Sequence, residues 1–162
     1  MVNRKYTIFS LTLIIVLLLD QVTKIFINSS FVLYESLNII PGLFNITYIR
    51  NPGAAFGFLA DADPMFRSIF FIAVSIVAVA IIVVVILKIK ADELLSTFGL
   101  SLILGGALGN LIDRIRLGEV IDFLDFYLGS YHWPAFNLAD SAISIGAVLL
   151  IWEIMRKKPL FD

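Results

Sequence analysis

The sequence predicts an all-α integral membrane protein, a bundle of four transmembrane helices with a small β-sheet in its first outer loop. Composition is the first reason. Of 162 residues, 60% are hydrophobic and 15% charged, far from the make-up of soluble domains, and the mean hydropathy is +0.98. The second reason is how the apolar residues are grouped. They form four runs, about Tyr6–Ile27, Phe66–Leu87, Leu94–Ile112 and Leu138–Met155, each near the roughly 20 residues that cross about 30 Å of hydrocarbon. A third observation bears on function. Asp20, Asn110, Asp113, Asp122 and Asp140 stand near the ends of these runs, where polar groups are costly and therefore mark functional sites by default. The length accommodates one membrane domain, residues 1–162, and no second domain of ordinary size.

The first run follows Asn3-Arg4-Lys5, a beginning shared with secretory signals. No small-residue cleavage site follows, and Asp20-Gln21 and Lys24 interrupt the run, so it is expected to persist as the first span. The second has Ser75 as its only polar side chain between Phe70 and Leu87 and reads as a lipid-facing, packing helix without chemistry. The third contains Gly105-Gly106-Ala107-Leu108-Gly109, a small-residue pattern that lets helices approach closely; it serves packing alone or also seats Asn110. Between the first two runs, Leu37–Ile40 and Phe44–Ile49 read as short strands around a Pro41-Gly42 turn. Phe44, Ile46 and Tyr48 share one face there, against Asn45 and Thr47. Asp61-Ala62-Asp63-Pro64 reads as the turn into the second span. The stretch Phe123–Phe136 is rich in aromatic residues and reads mainly as headgroup-level anchoring.

Basic residues orient the bundle. Arg4, Lys5, Lys88, Lys90, Arg156, Lys157 and Lys158, seven of the twelve Lys and Arg residues, fall on one side of the four runs. That side is expected to be cytoplasmic, with both termini there. Loops 28–65 and 113–137 then face outward and carry the site. The net charge of −1 gives no reason to expect nucleic acid as a partner.

Chemistry is narrowed by what is missing. There is no cysteine and one histidine, His132, which removes disulfides, thiolate nucleophiles, thiolate metal sites and His-rich metal centres. A Lys24-activated serine needs a nucleophile context that neither Ser29 nor Ser30 has. A divalent-metal site from Asp113, Asp122, Asp125 and Asp140 lacks any EF-hand-like loop, and no metal or cofactor is expected. His132 reads as interfacial, and Arg50 as solvated or near lipid phosphate. Asp122 and Asp140 are available as a carboxylate pair, which shares a proton because two adjacent carboxylates do not both ionise cheaply. Such a pair hydrolyses an amide without a covalent intermediate. Asp140 also reads as a first-turn residue favoured by the helix dipole, with Asn137 as cap, and Asp113-Arg114 as a structural pair. Asn51, Asn110, Arg114 and Asn137 are available to hold substrate or brace the pair. A transporter would instead want its acids near mid-membrane, and a scaffold would leave the clustered Asn and Asp unexplained.

Five motifs, in order along nearly the whole chain, carry a resemblance. They are Asp20-Gln21-Val22-Thr23-Lys24, Asn51-Pro52-Gly53-Ala54-Ala55-Phe56-Gly57, Gly105 through Arg114, Gly118-Glu119-Val120-Ile121-Asp122-Phe123, and Phe136-Asn137-Leu138-Ala139-Asp140. With these the sequence resembles the lipoprotein signal peptidases, signal peptidase type II. The resemblance implies an aspartyl endopeptidase of the bacterial inner membrane that cleaves a prolipoprotein just before its diacylglyceryl-modified cysteine. It implies Asp122 and Asp140 as the catalytic dyad, and Asn51, Gly53, Asn110, Asp113, Arg114 and Asn137 as substrate-contacting or supporting residues. Asp20 would be a buried support, the first loop a small β-cradle with a mobile outer helix, and the chain a monomer among membrane lipids.

Overall fold

The computed structural model describes residues 4–53, 59 and 62–157. The second half of the Asn51–Gly57 motif, Asp61 and Lys158 lie outside the described residues. Among those described, four helices are long and apolar enough to cross a membrane: α1 (Arg4–Ser30), α2 (Pro64–Lys88), α3 (Leu94–Leu117) and α4 (Leu138–Lys157). Four strands, β1 (Ser36–Ile40), β2 (Phe44–Asn51), β3 (Val120–Leu128) and β4 (Tyr131–His132), form one antiparallel sheet in the order β1-β2-β3-β4.

Helix α3 is the centre of the bundle: 61% of its most apolar window is buried, against 11%, 11% and 22% for α1, α2 and α4. The other three turn their Val, Ile, Leu and Phe side chains outward, as helices solvated by lipid do. Glycine makes the close approach to α3 work. A Cβ on Gly105 would lie 2.8 Å from the Val16 side chain of α1, and one on Gly106 would collide with the Ala139 carbonyl of α4. At one end of the bundle a core of Ile86, Leu100 and Leu104 joins α2 and α3. At the other, Ile27 of α1 packs with Tyr48, Ile121 and Phe123 of the sheet, anchoring the strands on the helix ends.

Local signals explain the element ends. Asp63 caps α2 by accepting a hydrogen bond from the Phe66 N–H at 2.9 Å, with Pro64 at the first helical position, where a missing N–H costs nothing. Helix α3 runs past the expected Ile112 to Leu117 and stops where Gly118 turns left-handed at φ 75°, a conformation glycine adopts freely. Asp113 and Arg114 are therefore helical residues, one turn above Gly109 and Asn110.

The hairpin β1–β2 matches the strands expected around Pro41-Gly42, but the sheet is not confined to the first loop. Its other half, β3 and β4, comes from the stretch read as aromatic anchoring, with Phe44 opposite Phe126 and Asn51 opposite Val120. The physical reason is burial on both faces. The first four residues of β3 are all buried, so the strand shows no apolar–polar alternation, and its partner is remote in sequence.

A carboxylate pair braced by a buried lysine

The site lies where the sheet meets the ends of α1, α3 and α4. Asp122 sits on β3 and Asp140 in the first turn of α4, and both line one cavity of about 940 Å³ together with Asn51, Gly53, Asn110 and Arg114. The sheet presents Asp122 because β2 and β3 pair Ile49 with Asp122, bringing Asn51 alongside. The Asn51 amide then donates to Asp122 Oδ2 at 2.9 Å, while its own Oδ1 accepts from the Gly53 N–H at 3.0 Å.

Helix α4 presents Asp140 through a reciprocal cap. The Asn137 side chain accepts from the Asp140 N–H at 2.9 Å, and Asp140 Oδ2 accepts from the Asn137 N–H at 3.2 Å. This is a capping box, which satisfies two otherwise orphaned donors. Asn137 is fully buried, and its amide donates onward to Asp122 Oδ1 at 2.7 Å. The first-turn and capping readings of Asp140 and Asn137 thus hold together with the place of Asp140 at the cavity, Asn137 lying buried behind it. One asparagine caps the helix and ties the two acids together.

Burial first, and the nearby Asp140 second, push the Asp122 carboxyl from 3.8 up to about 7, against hydrogen bonds from Asn51 and Asn137 that favour its charged form. Asp122 therefore retains a proton at pH values where an ordinary aspartate has lost it.

Behind the cavity is a second polar cluster, wholly buried. Lys24 Nζ lies 2.9 Å from Asp20 Oδ2 and 2.9 Å from Asp113 Oδ2, and donates to Asn110 Oδ1 at 2.9 Å. Asp20 Oδ1 accepts from the Ala139 N–H at 3.0 Å, completing the cap of α4 from another helix. Asp113 Oδ2 accepts from the Ile121 N–H at 3.2 Å, which holds the start of β3. Gly109 has no side chain because Asp20 occupies that space: a Cβ there would meet the Asp20 carboxylate. The glycine-rich stretch of α3 thus serves close packing and admits the Asp20 carboxylate one residue before Asn110. Removing one partner from such a buried ion cluster typically costs about 3–5 kcal/mol.

Two expectations are corrected here. Asp113 and Arg114 do not work as a pair: Asp113 turns to Lys24, whereas Arg114 reaches the Gly53 carbonyl at 3.5 Å and stands 5.4 Å over the Phe71 ring. Arg50 is not simply solvated. It donates to the Tyr48 hydroxyl at 2.6 Å and to Asn28 Oδ1 at 2.7 Å, tying β2 to the end of α1. His132 stacks on Tyr127 with its Nδ1 2.8 Å from Asp125 Oδ1. Burial raises the Asp125 carboxyl, but hydrogen bonds from Asn45 and His132 outweigh it and hold the group below the ordinary range.

Lys24 is the residue that sequence reasoning weighed for the wrong role. The signal was present: Asp20 and Lys24 are four apart on one face of an apolar helix, the spacing of a helical ion pair. Gln21 was missed beside them; its amide lies 3.1 Å from Asp20 Oδ2 and 3.3 Å from Asp113 Oδ1.

Known proteins share this arrangement of the chain. The family model for signal peptidase (SPase) II matches residues 12–156. A protein of Syntrophus aciditrophicus named lipoprotein signal peptidase is 55% identical over 151 residues, spanning 93% of this chain and 94% of its own. One of the same name from Pasteurella multocida is 48% identical over 141 residues, 87% of this chain and 84% of its own. Two solved structures described as bacterial membrane enzymes superpose with TM-scores of 0.81 and 0.83 at 35% and 34% identity. They cover 95% and 93% of this chain, and 93% and 94% of their own. With the match running from the first helix almost to the end of the last, and identity near half in the relatives, the chain belongs to the signal peptidase II family.

Proposed function

We propose that this protein is a membrane aspartyl endopeptidase that removes signal peptides from diacylglyceryl-modified bacterial prolipoproteins, cleaving just before the lipidated cysteine. The observation that carries the reading is the meeting of Asp122 and Asp140 at one cavity, with Asp122 raised to about 7 by burial and by its partner. One acid holds a proton and the other is ionised, the division that metal-free amide hydrolysis requires.

In this mechanism the ionised carboxylate takes a proton from a water molecule as its oxygen attacks the scissile carbonyl carbon. The protonated carboxyl gives its proton to the carbonyl oxygen, forming a tetrahedral gem-diol. Collapse of the gem-diol breaks the C–N bond: the proton first taken from water passes to the leaving amine, and one diol hydroxyl returns its proton to the other carboxylate as the new carboxyl group forms. Asn51, Gly53, Arg114 and Asn137 hold the substrate backbone or brace the acids. The cavity wall includes Val74, Ala78, Ile143 and Ile145, an apolar surface suited to acyl chains beside the polar floor. The site works at the outer face of the inner membrane, both termini are cytoplasmic, and the chain acts as a monomer without metal or cofactor.

The test uses purified protein in detergent with a precursor peptide, with and without its diacylglyceryl cysteine. Wild type is expected to cleave the lipidated peptide alone. Asp122→Asn and Asp140→Asn are each expected to lose about 10²–10⁴-fold in kcat at an unchanged thermal melt. Full activity in either variant refutes the dyad.

A further inference from the structure

We infer that Lys24 is a positioning residue: through Asn110 it fixes Asp140 as the ionised member of the pair and leaves the proton to Asp122. The inference deepens the peptidase reading above and rests on it for its kinetic test. Lys24 is 1% exposed and lies on α1, behind Asn110 rather than on the cavity. An ammonium has donors only. The atom of Asn110 that meets Lys24 Nζ at 2.9 Å must therefore be its carbonyl oxygen. A second donor, Asn137 Nδ2, meets the same oxygen at 3.2 Å. With Oδ1 held from two sides, the amide of Asn110 has one orientation left, and its N–H₂ donates to Asp140 Oδ1 at 2.7 Å. A group that donates to a carboxylate oxygen from a fixed position favours the ionised acid.

Asp140 thus receives the Asn110 amide on Oδ1 and the Asn137 backbone N–H on Oδ2. Among the described residues Asp122 receives side-chain amides only, from Asn51 and Asn137, and Asn137 shares its N–H₂ with the Ile121 carbonyl and Asn110 Oδ1, each at 3.2 Å. Among the described residues, the ionisable groups around the pair are few. Arg50 and Arg114 line the same cavity, and Asp20 and Asp113 face Lys24 from α1 and α3. Neither of these last two carboxylates is hydrogen-bonded to Asp140; the cluster reaches that acid through the Lys24–Asn110 link. The Lys24 charge also acts directly on Asp122, where its lowering effect is the smallest of those on that carboxyl. Without Lys24 only the longer Asn137 contact keeps the Asn110 amide from turning its oxygen toward Asp140, a turn that would draw the shared proton there.

Lys24→Met leaves Asp20 and Asp113 buried without their counter-ion. The triple variant Asp20→Asn/Lys24→Met/Asp113→Asn carries no charge in the cluster and is measured beside it. On the lipidated precursor peptide, a folded variant is expected to lose about 10²-fold in kcat, the scale of one acid–base contribution. KM is expected to stay within about twofold, and the acidic limb of the kcat/KM profile to move toward neutral pH. A folded variant with wild-type kcat, or with reduced kcat and an unmoved pH profile, overturns the inference. If neither variant folds, a substrate-free measurement tests the proton assignment on which the inference stands. In infrared difference spectra at neutral pH, the protonated-carboxyl stretch is expected to vanish in Asp122→Asn and persist in Asp140→Asn; the reverse overturns it. A wild type that leaves the peptide uncut defeats the peptidase reading, while the infrared assignment still decides which acid holds the proton.

Discussion

Asp122 ties the chemistry of the site to the stability of the chain. Its carboxyl is raised from 3.8 to about 7 by burial and by Asp140, so between these values the folded chain keeps a proton that the unfolded chain has released. Stability from this group is complete below about pH 4 and is lost as pH rises through about 7. At roughly 1.4 kcal/mol per unit the full span is worth up to about 4 kcal/mol. Thermal melts from pH 4 to 8 are expected to show a falling Tm in wild type and a flatter course in Asp122→Asn, which has no proton to lose at that position. Identical slopes would show that Asp122 titrates normally. Activity is expected to decline over the same upper interval, because the mechanism needs the proton that Asp122 gives up.

Among the elements, the start of α4 depends on two others. Its orphan N–H groups are met by Asn137 and Asp140 from its own first turn and by Asp20 from α1, and Asp20 fits only because Gly109 on α3 has no side chain. Gly109→Ala should therefore push Asp20 from both Lys24 and the Ala139 N–H. Overpacking of this kind typically costs about 1–3 kcal/mol. A Tm lowered accordingly, with kcat reduced as Asn110 and Asp140 shift, is the expected result. An alanine variant that melts and turns over like wild type would mean that α1 and α3 separate freely there. The strands have a simpler dependence. Asn45 donates to Asp125 Oδ2 at 2.9 Å and pairs across from it in the register, which holds the hairpin against β3 and so keeps Asn51 beside Asp122.

For the whole molecule, the polar machinery gathers at one end of an apolar bundle. The cavity, the sheet and the ion cluster lie where α1 and α3 end and α2 and α4 begin, while Lys88, Lys90 and Arg156 lie at the other end. With positive charge favouring the cytoplasm, the sheet end is predicted to face outward. Single cysteines at Ser36 and at Lys90, introduced into a chain that has none of its own, are expected to differ in whole cells. The first should react with a membrane-impermeant maleimide, and the second only after permeabilisation. The opposite pattern would invert the topology and place the site on the cytoplasmic face.

Much of this was legible before any coordinates. Length and hydropathy alone define four spans, because crossing lipid demands about 20 apolar residues with every backbone group bonded inside the helix. The Pro41-Gly42 hairpin was readable from its turn residues, and the motif resemblance pointed to Asp122, Asp140 and the amides around them. What sequence could not supply were partners set by contacts between distant segments. Whether Asp113 would face Arg114 or Lys24 depended on how far α3 continued and on which side α1 packed. Strand β3 stayed hidden because burial on both faces erased its alternation. The route from Lys24 through Asn110 to Asp140 joins residues 86 and 30 positions apart. A hydrogen-bond donor has no preference in sequence for an acceptor so remote, so only the packing of α1, α3 and α4 against one another could choose it.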